Sequence, residues 1–262
     1  MRVILFYLGD YPVRSYGLVV ALAILLSLGL ARYLARETVY RDHLSSFTVT
    51  AVISAIIGAR LWEVLFFQWS YYSAHPLEMA AIWNGGLSIQ GAIVGGIGSA
   101  IYYTWRHKLS FWDFVDTLAP AVVFGQGVGR IACFLNGDAF GSPTGSNFGI
   151  VYPEGTIAYE RYGSQPLWPA EIWEGQWDFV IFGILLAIKN KRLPKGMIFA
   201  TYQILYALGR FILEFLRGDT PRYLFNWTAA QWTSFIVVLV MLTIMAFLTY
   251  KERLGKPSEM TR

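Results

Sequence analysis

Between Tyr223 and Tyr250 the sequence runs for 28 residues without an Asp, Glu, Lys or Arg; it does so for 27 between Met79 and Trp105, and for 17 between Ser15 and Ala31. A bilayer core is crossed by about 20 apolar residues in a helix that rises ~1.5 Å per residue. These three runs therefore predict membrane-spanning helices. Four further stretches, 44–68, 113–134, 171–189 and 196–217, are apolar and long enough to span but carry embedded charges. A transmembrane barrel would instead alternate apolar and polar positions over segments of about ten residues. The expected fold is an all-α integral membrane protein of about seven transmembrane helices, with 1–262 as a single polytopic membrane domain.

Composition agrees. Only 15% of the residues are charged, against about 25% in a soluble domain, so there is too little charge to cover a water-facing surface. Cys133 is the one cysteine in 262 residues, which excludes a disulfide framework and any multi-cysteine zinc or iron–sulfur site.

The net charge of +4 would suggest nucleic-acid binding until the positions of the charges are read. Arg32, Arg36 and Arg41 follow the first span, Arg106 and Lys108 the third, and Lys189, Lys191, Arg192 and Lys195 the fifth. Lys251, Arg253, Lys256 and Arg262 follow the seventh. The opposite side holds Arg2, Arg14, Arg161 and Arg222. Short loops rich in Lys and Arg stay in the cytoplasm. The expected orientation is thus N-terminus outside and C-terminus cytoplasmic, with attraction to anionic membrane lipid as a secondary effect and no nucleic-acid partner.

The N-terminal Val3–Gly9 run has no small-residue cleavage site and reads as an interfacial segment rather than a signal peptide. Segment 69–84 has no Lys or Arg and is rich in Trp and Tyr, as an interfacial belt is. Residues 135–168 are punctuated by Gly137, Gly141, Pro143, Gly145, Gly155, Gly163 and Pro166. They are expected to form a small extracytoplasmic cap inserted between the fourth and fifth spans.

An ionisable group at bilayer depth faces a partner or a water-filled cavity. Arg210, Glu214 and Arg217 are spaced as one helical stripe, as are Glu171, Glu174 and Asp178; Arg60 and Glu63 form an i, i+3 pair, and Arg130 closes a glycine-rich run. Internal salt bridging is one reading of these groups. The other is an anion site, since a planar guanidinium donates bidentate hydrogen bonds to phosphate. A phospholipid headgroup is the phosphate most available at that depth.

Other chemistries fall away. The pairs Gly91/Gly95 and Gly125/Gly129 suit close helix packing, and the sequence Gly125–Arg130 lacks a preceding strand and the spacing of a dinucleotide site. There is no phosphate-binding loop and no H-E-x-x-H. His43, His75 and His107 sit near helix ends or loops. No metal and no cofactor is expected. A rhomboid-like protease would need a histidine within the membrane to go with Gly86–Ile89, and none is available there.

Six ordered motifs carry a family resemblance. The segment Gly129–Gly141, GRIACFLNGDAFG, resembles the G-R-x-G-N-F-x-N-x-E-x-x-G signature of prolipoprotein diacylglyceryl transferases. Val13–Leu18 resembles that family's I-R-W-Y-G-L, Gly58–Trp62 its G-A-R-x-x-Y, and Gly85–Gly91 its G-G-M-S-F-H-G. Pro169–Glu174 resembles P-x-Q-x-Y-E, and Arg210–Arg217 resembles R-F-x-x-E-F-x-R. The sequence departs from the family at Gln90, where histidine is usual, at Cys133, where asparagine is, and at Asp138, which replaces glutamate.

The resemblance implies transfer of the sn-1,2-diacylglyceryl group from phosphatidylglycerol to the lipobox cysteine thiol of a preprolipoprotein, releasing glycerol 1-phosphate. It implies a bacterial cytoplasmic (inner) membrane enzyme whose site faces the membrane and the extracytoplasmic side. Arg130 and Arg210 would hold the phosphate, with Glu214 orienting one or both. Tyr16, Asn136, Asp138 and Tyr206 would line the cavity, Gly141 would allow a tight turn, and Arg60, Gln90 and Arg217 would complete the substrate-binding set. Gln90 cannot act as a base, which leaves Glu214, Asp138, a Tyr206-linked relay or hydroxide. Two rivals stay open: a diverged member with another acceptor or no catalysis, and a transporter with an arginine-lined anion path.

Overall fold

The computed structural model describes residues 1–255; Lys256 and Arg262, counted above among the cytoplasmic basic residues, lie outside them. The chain opens on an antiparallel hairpin, β1 (Ile4–Leu8) and β2 (Tyr11–Arg14), where the sequence reading expected only an interfacial segment. Gly9 makes the two-residue turn possible, because its φ of +61° costs glycine little. The rest of the described architecture is helical: α1 (Ser15–Leu34), α2 (Leu44–Trp62), α3 (Trp69–Ala74), α4 (Ile89–Arg106), α5 (Phe111–Asn136), α6 (Ile157–Tyr162), α7 (Ala170–Ile188), α8 (Met197–Leu213) and α9 (Ala229–Gly255).

Among the described residues, five stretches are long and apolar enough to cross a membrane: Ser15–Leu34, Arg41–Phe67, Phe111–Asn136, Met197–Leu216 and Ala229–Glu252. Their flanks carry exposed Leu25, Ile53, Ile212, Leu239 and Phe247. So much uncovered apolar surface belongs in lipid rather than water. Of the other two expected spans, α7 carries Glu171, Glu174 and Asp178 in its first half. The run 79–105 is helical only from Ile89. Before that it forms short 3-10 turns at Pro76–Ala80 and Ile82–Asn84, ended by Gly85 and Gly86 at φ +86° and +68°.

The chain divides into two compact units, residues 31–117 and residues 1–30 with 118–262; α1 and α5 run through both. In the unit 31–117, α2 lies against α4 through glycine. A Cβ on Gly58 or Gly91 would strike the other's backbone, and one on Gly95 would strike Ser54. Phe47 seals the same unit, 4.9 Å from the Phe114 ring and 5.5 Å from Tyr103, both edge-on.

The unit formed by 1–30 and 118–262 centres on buried Ala119, Val123, Ile181, Leu185 and Tyr202, drawn from α5, α7 and α8. Gly209 lets the Trp177 ring press against α8, where its Nε1 donates to the Leu205 carbonyl at 2.9 Å. Gly125 accommodates Ser27 of α1. Gly129, expected to pack beside it, has open space within 4 Å of where a Cβ would stand, and the close approach falls instead at Gly127, against Gly175 and Phe179. A second small core, Phe140, Tyr152, Ala158 and Leu167, holds residues 135–168 together.

Candidate functional site

Three helical ends converge in the unit formed by 1–30 and 118–262. Arg130 comes from the last two turns of α5, Glu174 from the second turn of α7, and Arg210 from the last turn of α8. Glu174 Oε2 sits 2.6 Å from Arg130 Nη2, while its Oε1 pairs with Arg210 Nη1 and lies 3.3 Å from Arg217 Nη1. One carboxylate thus spans three guanidinium groups.

The sequence placed Arg210, Glu214 and Arg217 on one helical stripe. The structure keeps them together by other means. Helix α8 ends at Leu213, Glu214–Leu216 tighten into a 3-10 turn, and Arg217 is extended. Its backbone bridges Gly141, with Ser142 N donating to Leu216 O at 2.7 Å. Glu214 Oε2 reaches Arg210 Nη2 at 2.9 Å from a fully buried side chain. Asp219 takes Arg217 in a fork, Nε to Oδ1 at 2.7 Å and Nη2 to Oδ2 at 2.5 Å.

Burial separates these groups. Arg130 and Arg210 keep 19% and 18% of their side chains exposed, against 4% for Glu174 and 0% for Glu214. Arg217 is 7% exposed. The carboxylates are thus more enclosed than Arg130 and Arg210, which keep part of their side chains accessible. In a low-dielectric setting two such forks are suited to an anion, because each offers parallel N–H donors with no need to reorganise.

The neighbouring turn brings in the remaining expected residues. Asn136 Nδ2 donates to Asp138 Oδ2 at 2.7 Å, and Asp138 N donates to Cys133 O at 3.2 Å. Half-exposed Tyr16 has Cys133, Asp138 and Arg130 as electrostatic neighbours, and Tyr206 neighbours Arg130. The tight turn expected at Gly141 falls earlier, at Gly137 (φ +69°) and Ala139 (φ +60°). Gly141 serves a close approach instead: a Cβ there would strike the Trp168 backbone.

Residues 135–168 are tied to α7 by a buried hydrogen bond from Tyr152 OH to Glu171 Oε1. Burial, and then the Glu171 carboxylate, push the Tyr152 hydroxyl well above its ordinary range, so it stays a donor. Tyr162 OH reaches Gly218 O at 2.9 Å, and Arg161 Nη1 reaches Asp219 O at 3.3 Å.

Arg60 and Gln90 belong to the unit 31–117. Buried Arg60 spends all five N–H donors on backbone carbonyls: Nε on Met79, Nη1 on Gly85 and Gly86, Nη2 on Glu78 and Ala81, at 2.6–3.3 Å. Its guanidinium also lies 4.8 Å from the Tyr72 ring centre. No Arg60–Glu63 ion pair forms among the described residues; Glu63 Oε1 accepts instead from Gln68 Nε2 at 2.7 Å. Gln90 Oε1 accepts from Ser88 Oγ at 2.6 Å. No group of three or more metal-ligating side chains occurs among the described residues.

Sequence spacing assigned Glu174 only to an acidic stripe and did not single out Asp219. Stripes along one helix carry no information about which other helix they meet.

Helices long and apolar enough to span a membrane, with an arginine–carboxylate cluster among them, mark a multi-pass membrane protein. The profile of the prolipoprotein diacylglyceryl transferase family matches residues 3–247, and the chain belongs to that family. It is 39% identical over 219 residues to the phosphatidylglycerol–prolipoprotein diacylglyceryl transferase of Acaryochloris marina, covering 82% of this chain and 80% of that one. Over 253 residues it is 34% identical to the Bacillus licheniformis protein of the same name, covering 95% and 93%. The Nostoc protein so named is 36% identical over 224 residues, covering 83% and 79%.

Proposed function

We propose that this chain transfers the sn-1,2-diacylglyceryl group of phosphatidylglycerol to the lipobox cysteine thiol of a preprolipoprotein, releasing glycerol 1-phosphate. The observation that carries the reading is the pair of partly accessible arginines, Arg130 and Arg210, held by one shared carboxylate. A thiol of pKa about 8.5 attacks as its thiolate. Sulfur bonds to the terminal glycerol carbon of the diacylglyceryl group as that carbon's bond to the phosphate oxygen breaks. The phosphodiester thereby becomes a monoester with added negative charge, which Arg130 and Arg210 stabilise. Holding lipid and peptide together makes the step effectively unimolecular, and no covalent enzyme intermediate is needed.

Asn136, Asp138, Tyr16 and Tyr206 line the site, and Glu214 orients Arg210. The thiol proton is assigned to Asp138, since the Gln90 amide cannot take it and Glu214 is fully buried against Arg210. Arg60, with its donors spent on carbonyls, is reassigned from direct lipid contact to holding the 78–86 loop ahead of Gln90. The seven apolar stretches and the family resemblance support seven spans in a bacterial cytoplasmic membrane, and the charge asymmetry of the loops supports the orientation. The N-terminus is then outside, and the cap 135–168 and the site are on the extracytoplasmic side.

The test incubates purified protein with labelled phosphatidylglycerol and a lipobox peptide. A thioether-linked diacylglyceryl peptide supports transfer. Unmodified peptide with bound lipid would indicate a diverged member without this acceptor.

A further inference from the structure

Of the three carboxylates in ion pairs with the arginine cluster, Glu214 meets Arg210 and Asp219 meets Arg217, but Glu174 meets Arg130, Arg210 and Arg217 together. Its two oxygens divide between helices. Oε2 faces Arg130 of α5, and Oε1 faces Arg210 at the end of α8 and Arg217 beyond it. Arg130 and Arg210, both cations, converge without mutual repulsion because an anion lies between them.

Glu174 is also the more enclosed partner: it is 4% exposed, against 19% for Arg130 and 18% for Arg210, so the arginines rather than Glu174 are the accessible groups for an incoming phosphate. Its position on the helix is also constrained. Gly175, the next residue, approaches Arg130 closely enough that an added Cβ would lie 3.1 Å from Arg130 Cβ. Trp177, further along α7, anchors it to α8.

We infer that Glu174 is a positioning residue for the transfer reaction, setting the spacing of the Arg130 and Arg210 forks to suit a phosphate. The inference rests on the function proposed above. Glu174 does not touch the reacting atoms; it acts through the two arginines. In Glu174→Gln the amide NH2 points donors at a guanidinium, so one of the two arginines loses its support. In Glu174→Asp the charge remains, but the side chain is one methylene too short to span both.

The experiment measures kcat and KM for phosphatidylglycerol per mole of folded protein, with a lipobox peptide as acceptor, for wild type, E174Q and E174D, alongside detergent melting curves. A misplacement of about 1 Å at a reacting centre costs on the order of 10²-fold in rate. The expected result is a kcat loss of that order in E174Q, exceeding any change in KM. E174D is expected to recover to within about tenfold of wild type. Wild-type kcat and KM in both variants would overturn the inference. So would a loss that disappears once rates are normalised to folded protein, since that marks a purely structural role. If E174Q does not fold, E174D alone decides: an unchanged kcat overturns the inference and a reduced one supports it. Failure of wild type to transfer lipid at all would instead defeat the proposed function.

Discussion

Arg130 and Glu174 meet at 2.6 Å, joining the end of α5 to the second turn of α7. The arginine keeps 19% of its side chain exposed and the carboxylate 4%, and the proposed function takes Arg130 as a binding group. Replacing Arg130 by Lys keeps the charge and loses the planar fork. A fall in kcat/KM of about 10²–10³-fold is expected, measured as rate of thioether formation. Arg210→Lys, at a similarly accessible arginine, should fall by a similar factor.

Arg60 predicts a different phenotype. Its five donors hold the carbonyls of Glu78, Met79, Ala81, Gly85 and Gly86. Lysine has three donors on one nitrogen and cannot reproduce that spread. Arg60→Lys should cost on the order of 2–4 kcal/mol of stability, seen as a lower melting temperature in detergent.

Two glycines with similar sequence signatures should part company. Gly91→Ala drives a Cβ into the Gly58 backbone and should lower the melting temperature clearly, by an overpacking cost of about 1–3 kcal/mol. Gly129→Ala meets open space and should be neutral or stabilising by up to about 1 kcal/mol.

These contrasts show what the sequence carried and what it did not. The arginines, their charged neighbours and five spans were legible because hydropathy and helical spacing are local properties. The early end of α8 was not, so Arg217 reached the cluster by an extended segment bridging Gly141. Nor was the interruption of the run 79–105, which depends on Gly85 and Gly86 taking positive φ in an otherwise apolar stretch. Arg60 bonds to backbone carbonyls, which leave no side-chain pattern to read. Glu174 was visible as part of a stripe, but its three partners lie on α5, on α8 and just beyond α8, and spacing along α7 says nothing of them.

The hydrogen bond between Tyr152 and Glu171 of α7 is expected to weaken at alkaline pH. Tyr152 is buried against Glu171 and its pKa is raised from an ordinary 10.0. Its contribution to stability is therefore intact below about pH 10 and is lost as the pH rises above that value towards the folded-state pKa. Tyr152→Phe leaves Glu171 Oε1 without this donor. It should lower stability by about 1–3 kcal/mol at neutral pH and flatten the alkaline limb of a melting-temperature profile.

The most direct measurement is the mass of a lipobox peptide after incubation with the purified protein and phosphatidylglycerol of defined acyl chains. Transfer by carbon–oxygen cleavage predicts a mass gain equal to one diacylglyceryl group without phosphorus. An equal molar amount of glycerol 1-phosphate should appear in solution. A peptide that gains no mass, or gains a phosphorus-containing group, would contradict the account.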